Sequence, residues 1–253
     1  MQNDNLKSEN DSVAHAIAGN YYSTTRSRSH KRDVNWYRHS SFQKMLRIRQ
    51  WLPQNRDARI LDLGCGCGEL LFGLEQKRYA QLTGIDCCQA EMDEAKQFVN
   101  SHLICSDALD YLKTTEDRFD IIIAYNFLEH FSKDSLLVIL RNIRKILNPG
   151  GSLIAMVPNA VSIMGSTTRY WDITHEMAFT TNNWHQLASL VGFNPSPEFR
   201  ECGPIAHGPA SFIRYLVWRF LRSLIKLYLF CEVASDRGNI YTQDMMVRLK
   251  VSE

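Results

Sequence analysis

The sequence predicts an α/β chain built on an open, mostly parallel sheet with helices on both faces. Three observations predict it. Strand-like and helix-like segments alternate from residue 58 to residue 159, and repeated alternation of this kind implies right-handed crossovers and a parallel sheet. One segment, "FDIIIAYN" (119–126), is apolar almost throughout, as a strand covered on both faces must be. In "ILDLGCGCGELL" (60–71) an apolar run enters a turn with glycine at 64, 66 and 68, the form a ligand-holding strand-to-helix turn takes.

The elements follow in order. Residues 1–20 are polar and read as a mobile tail, without the apolar stretch of a secretory signal. "NWYRHSSFQKMLRIRQWL" (35–52) reads as a helix: Trp36, Phe42, Met45, Leu46, Ile48 and Leu52 recur near helical spacing, and Pro53 follows. It forms an N-terminal helical cap over 21–54. The core, 55–159, holds strand "ARILDLG", helix "GELLFGLEQK", strand "AQLTGID", helix "AEMDEAKQFVN", short strand "SHLICSD", helix "ALDYLKTT" and strand "FDIIIAYN". "SKDSLLVILRNIRKIL" reads as a helix with Ser132 as N-cap, closed by Asn148-Pro149-Gly150-Gly151. A fifth strand, "SLIAMVPN", comes next.

After Asn159 the rhythm changes. A segment of about 20 residues rich in Tyr, Trp, His and Thr precedes the helix "TNNWHQLASLVG", and connections that long are commonly lids or substrate-binding segments. A strand near 197–202, a helix over 210–230 and a last strand, "IYTQDMMVRLK", complete the chain. Residues 160–235 read as lid and amphipathic helix, and 236–253 as the last strand of a single domain.

Composition sets the bounds. At 253 residues, 45% hydrophobic and 22% charged, the chain has the mix of a globular protein with a proper core. It has no uncharged apolar run long enough to span a bilayer. Seven cysteines, an odd number within core segments, suit a reducing, cytoplasmic setting better than a disulfide framework. Neither Cys65-x-Cys67 nor Cys87-Cys88 has the spacing of a zinc site. The net charge is +2, yet between Arg26 and Arg49 eight Lys and Arg face one acid, Asp33. That stretch reads either as a solvated face or as the approach to an anionic partner.

Charge selects the ligand of the glycine turn. A Walker loop would end Gly-Lys-Ser/Thr, and a dinucleotide fingerprint would place glycine where Glu69 stands. Asp62 and Glu69 flank the turn, disfavouring a phosphate at the helix N-terminus and tolerating a cation. S-adenosyl-L-methionine carries a sulfonium and an amino group and no phosphate. Its expected cradle is Asp62, Gly64, Cys65, Gly66 and Gly68. Asp86, with Cys87 beside it, ends the second strand where a carboxylate can accept both ribose hydroxyls. Asp107 and Ala108 follow the third strand and suit the adenine, while Asn126 and Phe127 follow the fourth, toward the methionine end. Taken singly, Asp86, Asp107 and Asn126 could each be a helix cap; together, each at the carboxyl end of its own strand, they are hard to read as caps.

"ILDLGCGCG", "GID", "SDALD", "FDIIIAYNFLEHF" and "LNPGGSLIAMVPN" resemble, in order, the motifs of class I S-adenosylmethionine-dependent methyltransferases over residues 58–159. "FLEHF" is similar to the Leu-Glu-His signature of the small-molecule branch and unlike the Asn/Asp-Pro-Pro-Tyr/Phe signature of amino-methylating nucleic-acid enzymes. The resemblance implies a Rossmann-like seven-stranded sheet, mostly parallel with the last strand antiparallel, an N-terminal helical cap and a C-terminal helical insertion. "RYWDITHEMAFTTNNWHQLASLVGF" and the tail "LVWRFLRSLIKLYLFCE" also resemble methyltransferases of bacterial surface-polysaccharide clusters. That second likeness implies O-methylation of a sugar or glycan terminus, at a hydroxyl or a phosphate; a quinone-like or other small lipid is the rival acceptor, and a non-catalytic donor-binding subunit the rival role.

Methyl transfer to a hydroxyl wants a general base. His175, in the lid-like segment with Asp172, is the first candidate and His130 the second; either also reads as a packed or capping histidine. Asp172, His175 and Glu176 on one short loop make a poor metal set, and no metal is expected. Arg169, Tyr170 and Trp171 suit sugar or phosphate recognition, with core packing the competing reading for Trp171. In the 210–230 helix, Arg214, Arg219, Arg222 and Lys226 fall within about 140° of arc and the rest is apolar. This helix reads either as buried against the sheet or a dimer mate, or as lying in a membrane interface at its inner face. No nucleic-acid partner is expected, for want of a recognisable RNA-binding module.

Overall fold

The computed structural model describes residues 32–252 apart from 236, 237 and 239. The expected tail and the first cations of the basic stretch lie outside the described residues. The chain runs α1 (Val34–Ile48), β1 (Arg59–Leu63), α2 (Glu69–Gln76), β2 (Gln81–Asp86), α3 (Gln89–Ala95), β3 (His102–Cys105), α4 (Ala108–Thr114) and β4 (Phe119–Tyr125). A 3-10 turn, Leu128–His130, leads to α5 (Lys133–Ile146) and β5 (Leu147–Pro158). Then come α6 (Gly165–Tyr170), α7 (Thr181–Val191), β6 (Glu198–Glu201), α8 (Pro209–Val233) and β7 (Asp244–Lys250).

The sheet has seven strands in the order β3-β2-β1-β4-β5-β7-β6, six of them parallel and β7 antiparallel. Arg59–Leu63 run in parallel register with Gln81–Ile85, and β7 pairs antiparallel with both β5 (Ser152 with Lys250) and β6 (Glu198 with Arg248). Strand order reverses between β1 and β4, the switch point at which open α/β sheets take ligands. Two compact units divide after Ile123, within β4.

In the first unit Ile60, Leu61 and Leu63 of β1 and Leu70, Leu71 and Leu74 of α2 are enclosed. Asp33 caps α1 by accepting the Trp36 N–H at 2.8 Å, and the helix stops at Ile48, short of Leu52. Its buried residues are Tyr37, Ser41, Met45 and Ile48, while Phe42 is exposed. The stripe follows i, i+4, i+8 and i+11, and at 100° per residue Phe42 turns away from it. A side chain at Gly73 would meet Met45 Cγ at 2.7 Å, so this glycine lets α1 and α2 approach. In the second unit, Ile139, Leu140 and Ile143 of α5 and Leu153, Ile154 and Val157 of β5 are enclosed, and Phe179 stacks on Trp184 at 5.1 Å.

Two local expectations change. Asn148–Gly151 lies inside β5, with Gly150 at φ 72°, and does not precede the strand. More consequential is α8. No residue of this 25-residue helix is buried, so it is not packed into the core of its own chain. Phe212, Ile213, Leu216, Val217, Phe220, Leu221, Leu224 and Leu227 are all exposed. The Arg222–Glu201 ion pair at 2.9 Å and the Arg222 guanidinium over the Tyr241 ring tie its middle to the body of the unit. Among the described residues no helix is long and apolar enough to cross a membrane.

Candidate active site

The glycine turn belongs to the first unit. Gly64, Gly66 and Gly68 have φ of 68°, 52° and 79°, all in the left-handed region that costs a residue with a Cβ. The Gly64 and Cys65 N–H groups both donate to the Ile85 carbonyl at 2.9 Å. Gly68 also abuts α3: a Cβ there would stand 3.3 Å from that of Ala95, so its close packing is against a helix.

Asp86 is fixed by the turn it serves. One carboxylate oxygen accepts the Gly66 N–H at 2.9 Å and the other the Cys88 N–H at 2.8 Å. Asp62 is 2% exposed. Burial pushes its carboxyl up to about 7; Lys44 opposes the rise, and Glu69 and Asp86 add to it. Glu69, expected to leave the turn negatively flanked, is instead paired with Lys44 Nζ at 2.7 Å. Lys44 comes from the basic stretch, as does Arg32, which bridges Glu91 and Glu94 at 3.0 and 2.7 Å. These two cations serve intramolecular acids, and α1 therefore supports the turn. Tyr37 adds to this by donating its hydroxyl to the Cys67 carbonyl at 2.6 Å.

Asp107 caps α4, accepting the Asp110 N–H at 3.0 Å, so the capping role the sequence allowed it is present. Ala108 and Cys65 are buried and Cys87 is exposed. All seven cysteines are free. In the second unit Asn126 is exposed with φ 52°, a rare conformation for a residue with a side chain, and its N–H donates to the Met156 carbonyl. Phe127 meets Phe131 edge-on at 4.9 Å.

The segment after β5 is held at its base and at its middle. The Phe179 N–H donates to the Pro158 carbonyl and the Ala160 N–H to the Phe179 carbonyl, while buried Asn159 donates to the Ile240 and Thr242 carbonyls. Further in, the Glu176 and Met177 N–H groups donate to the Glu129 carbonyl at 2.8 and 3.2 Å. That fastening brings His175 to His130, ring centroids 5.0 Å apart. The Thr174 hydroxyl donates to Asp172 at 2.7 Å and so accepts from His130 Nδ1 at 2.8 Å. His175 Nδ1 faces the Thr168 carbonyl at 3.0 Å, where it must donate. Burial, then the nearby His175, pushes the His130 imidazole below its usual range.

Glu129 is the residue the sequence reading passed over, although it stands within the quoted "FLEHF". It is 1% exposed, and its Oε2 has no hydrogen-bond partner. Burial, then the Asp244 and Asp172 carboxylates, pushes its carboxyl up to about 8. Among the described residues, Glu129, His130 and His175 are the acid and imidazole groups whose ligand atoms converge, within 4.8 Å of one another. Glu176, which the sequence groups with Asp172 and His175, is exposed and outside this cluster.

Arg169 donates to the His175 carbonyl, and its guanidinium lies 5.0 Å from the Tyr170 ring centroid. It thus holds the segment in shape. Tyr170 and Trp171 are 77% and 81% exposed, which removes core packing as the reason for Trp171.

A glycine turn of left-handed residues at a β1–α2 junction, an acid closing β2 and a seven-stranded sheet with one reversed strand define a class of nucleoside-ligand enzymes. The chain belongs to the methyltransferase domain family, matching it over residues 37–196. It is 28% identical over 147 residues to the mRNA cap guanine-N(7) methyltransferase of Schizosaccharomyces pombe, covering 51% of this chain and 39% of that protein. It is 29% identical over 130 residues to the tRNA1(Val) (adenine(37)-N6)-methyltransferase of Parabacteroides distasonis, covering 43% and 55%. The chain therefore spans about two fifths to just over half of these relatives. Both are named for RNA acceptors, against the expectation that excluded nucleic acid. In structure it is similar to an Archaeoglobus fulgidus SAM-dependent methyltransferase, with TM-score 0.61, 20% identity and 85% and 96% of the two chains covered. The Synechocystis magnesium protoporphyrin IX methyltransferase with bound SAM gives TM-score 0.56, 15% identity and 94% and 97% coverage.

Proposed function

We propose that this chain transfers a methyl group from S-adenosyl-L-methionine to an oxygen of a sugar or glycan terminus. Family membership supports methyl transfer, and the residues of the turn fit this donor. Gly64, Gly66 and Gly68 hold a backbone that can approach a ligand closely. Asp62 is a buried carboxyl whose charged form lacks full compensation, and an ammonium group would supply it. Asp86, oriented by two backbone N–H groups, is the acid for the ribose. The donor supplies a methyl carbon already activated by a positive sulfur. We read the chain as a single methyltransferase domain.

The observation that carries the acceptor reading is the pairing of His130 and His175. The hydroxyl gives up its proton at this cluster, with His175 first and His130 second as the rings able to receive it. Asp172 orients His130 through Thr174, and exposed Tyr170 and Trp171 offer flat faces to a sugar ring. The test is transfer of a labelled methyl group over glycan, quinone-like lipid and RNA acceptors. A labelled sugar ether is expected; label in RNA or lipid alone overturns the acceptor, and no transfer to any class leaves a donor-binding subunit.

The exposed apolar length of α8 favours one addition: attachment at an anionic membrane surface, where a lipid-linked glycan would be met. Apolar insertion with Arg214 and Arg219 toward headgroups gives binding that weakens with salt. Co-sedimentation with anionic vesicles should be lost in Arg214→Glu with Arg219→Glu. Failure of the wild type to sediment overturns this attachment.

A further inference from the structure

We propose that Glu129, His130 and His175 form a binding site for a divalent transition-metal cation. One ligand atom from each lies within 4.8 Å of the others. Ligands sharing a tetrahedral ion at about 2.1 Å stand about 3.4 Å apart, so small side-chain rotations close the set. Glu129 supplies the independent sign. Its carboxylate is 1% exposed and Oε2 has no hydrogen-bond partner. A buried acid oxygen left unpaired is costly, and a cation removes that cost.

The surroundings are those of a ligand set. Metal-bound imidazoles characteristically donate their other N–H to a carbonyl or carboxylate, which fixes the ring. His175 Nδ1 does so to the Thr168 carbonyl, and His130 Nδ1 to the Thr174 hydroxyl, which in turn donates to Asp172. In the neutral His175 ring the lone pair then falls on Nε2. Two imidazoles and one carboxylate suit zinc, cobalt, manganese or iron better than calcium or magnesium, which prefer all-oxygen shells. Three protein ligands leave a position for an acceptor oxygen.

The role, though not the binding, rests on the acceptor reading above. An acceptor hydroxyl on the cation loses its proton to solvent more readily. The carbon–sulfur bond of the donor then breaks as the carbon–oxygen bond forms, and sulfur keeps the electron pair. In that state His175 serves as a ligand and no longer receives the proton.

The test titrates the chelator-treated full chain with Co²⁺, followed by visible absorption and calorimetry. One site is expected, with d–d bands and no thiolate charge-transfer band. Glu129→Gln and His175→Ala should each weaken binding about a hundredfold or more, and Thr174→Val, which removes the hydroxyl linking His130 to Asp172 and no metal ligand, about tenfold. Each variant should still bind S-adenosylhomocysteine, a check on folding. Absence of Co²⁺ binding in the wild type overturns the site, as does unchanged binding in both ligand variants. A thiolate band would move the ion to the cysteines and overturn it equally. Full turnover in variants that have lost Co²⁺ would leave the site standing and remove its part in the acceptor chemistry.

Discussion

His130 and His175 stand with ring centroids 5.0 Å apart although 44 residues separate His130 from Thr174, the residue that holds its Nδ1. The pairing exists because the Glu129 carbonyl takes two N–H groups, from Glu176 and Met177. The histidine on the turn after β4 and the one in the long segment thereby become one chemical unit.

If that unit handles the hydroxyl proton, directly or through a cation, His175→Ala should lower turnover by about two orders of magnitude or more, the usual worth of such a group. Donor affinity, measured by calorimetry, should stay within a fewfold of wild type. Undiminished turnover would take the role from this residue.

Asp86→Ala removes a carboxylate that anchors the Gly66 and Cys88 N–H groups. The same change takes away the acceptor for the ribose hydroxyls, so S-adenosylhomocysteine affinity should fall about a hundredfold, or about 2.7 kcal/mol. Calorimetry on the variant decides it, and wild-type affinity would displace Asp86 from the donor site.

Asp62 makes stability depend on pH with a definite sign. Its carboxyl is raised from 3.8 unfolded to about 7 folded, so between those values the folded chain binds more protons than the unfolded one. The contribution is full below pH 4 and is lost as pH rises through 7. Urea unfolding from pH 4 to 8 should show a decline from this group that Asp62→Asn flattens, by up to about 4 kcal/mol. A bound donor ammonium should oppose the decline. Identical profiles for wild type and variant would refute the assignment.

Tyr37→Phe keeps the buried ring but leaves the Cys67 carbonyl without the hydroxyl it now accepts at 2.6 Å. A loss of about 1–2 kcal/mol is expected, read as a lower midpoint in urea, with weaker donor binding because the turn loosens. A variant as stable as wild type would show that α1 does not brace the turn through this bond.

The sequence by itself determined the sheet, the strand–helix order and the glycine turn. These rest on local signals: apolar runs, caps such as Ser132, and glycines at 64, 66 and 68 whose left-handed φ no other residue adopts as readily. It also named His130, His175 and Asp172. It could not join them, because the bonds that do so run between segments far apart in the chain. For the same reason Glu129 stood unremarked inside "FLEHF": its burial and its unpaired oxygen are properties of what packs around it. Lys44 lies in a basic stretch that reads as a solvated face or as the approach to an anionic partner, and tertiary structure set it against Glu69 instead. For α8 the pattern left core and surface equally open, since an apolar, cation-bearing helix fits either. Only the packed chain decides which faces find a partner, and along α8 none of the 25 residues is buried.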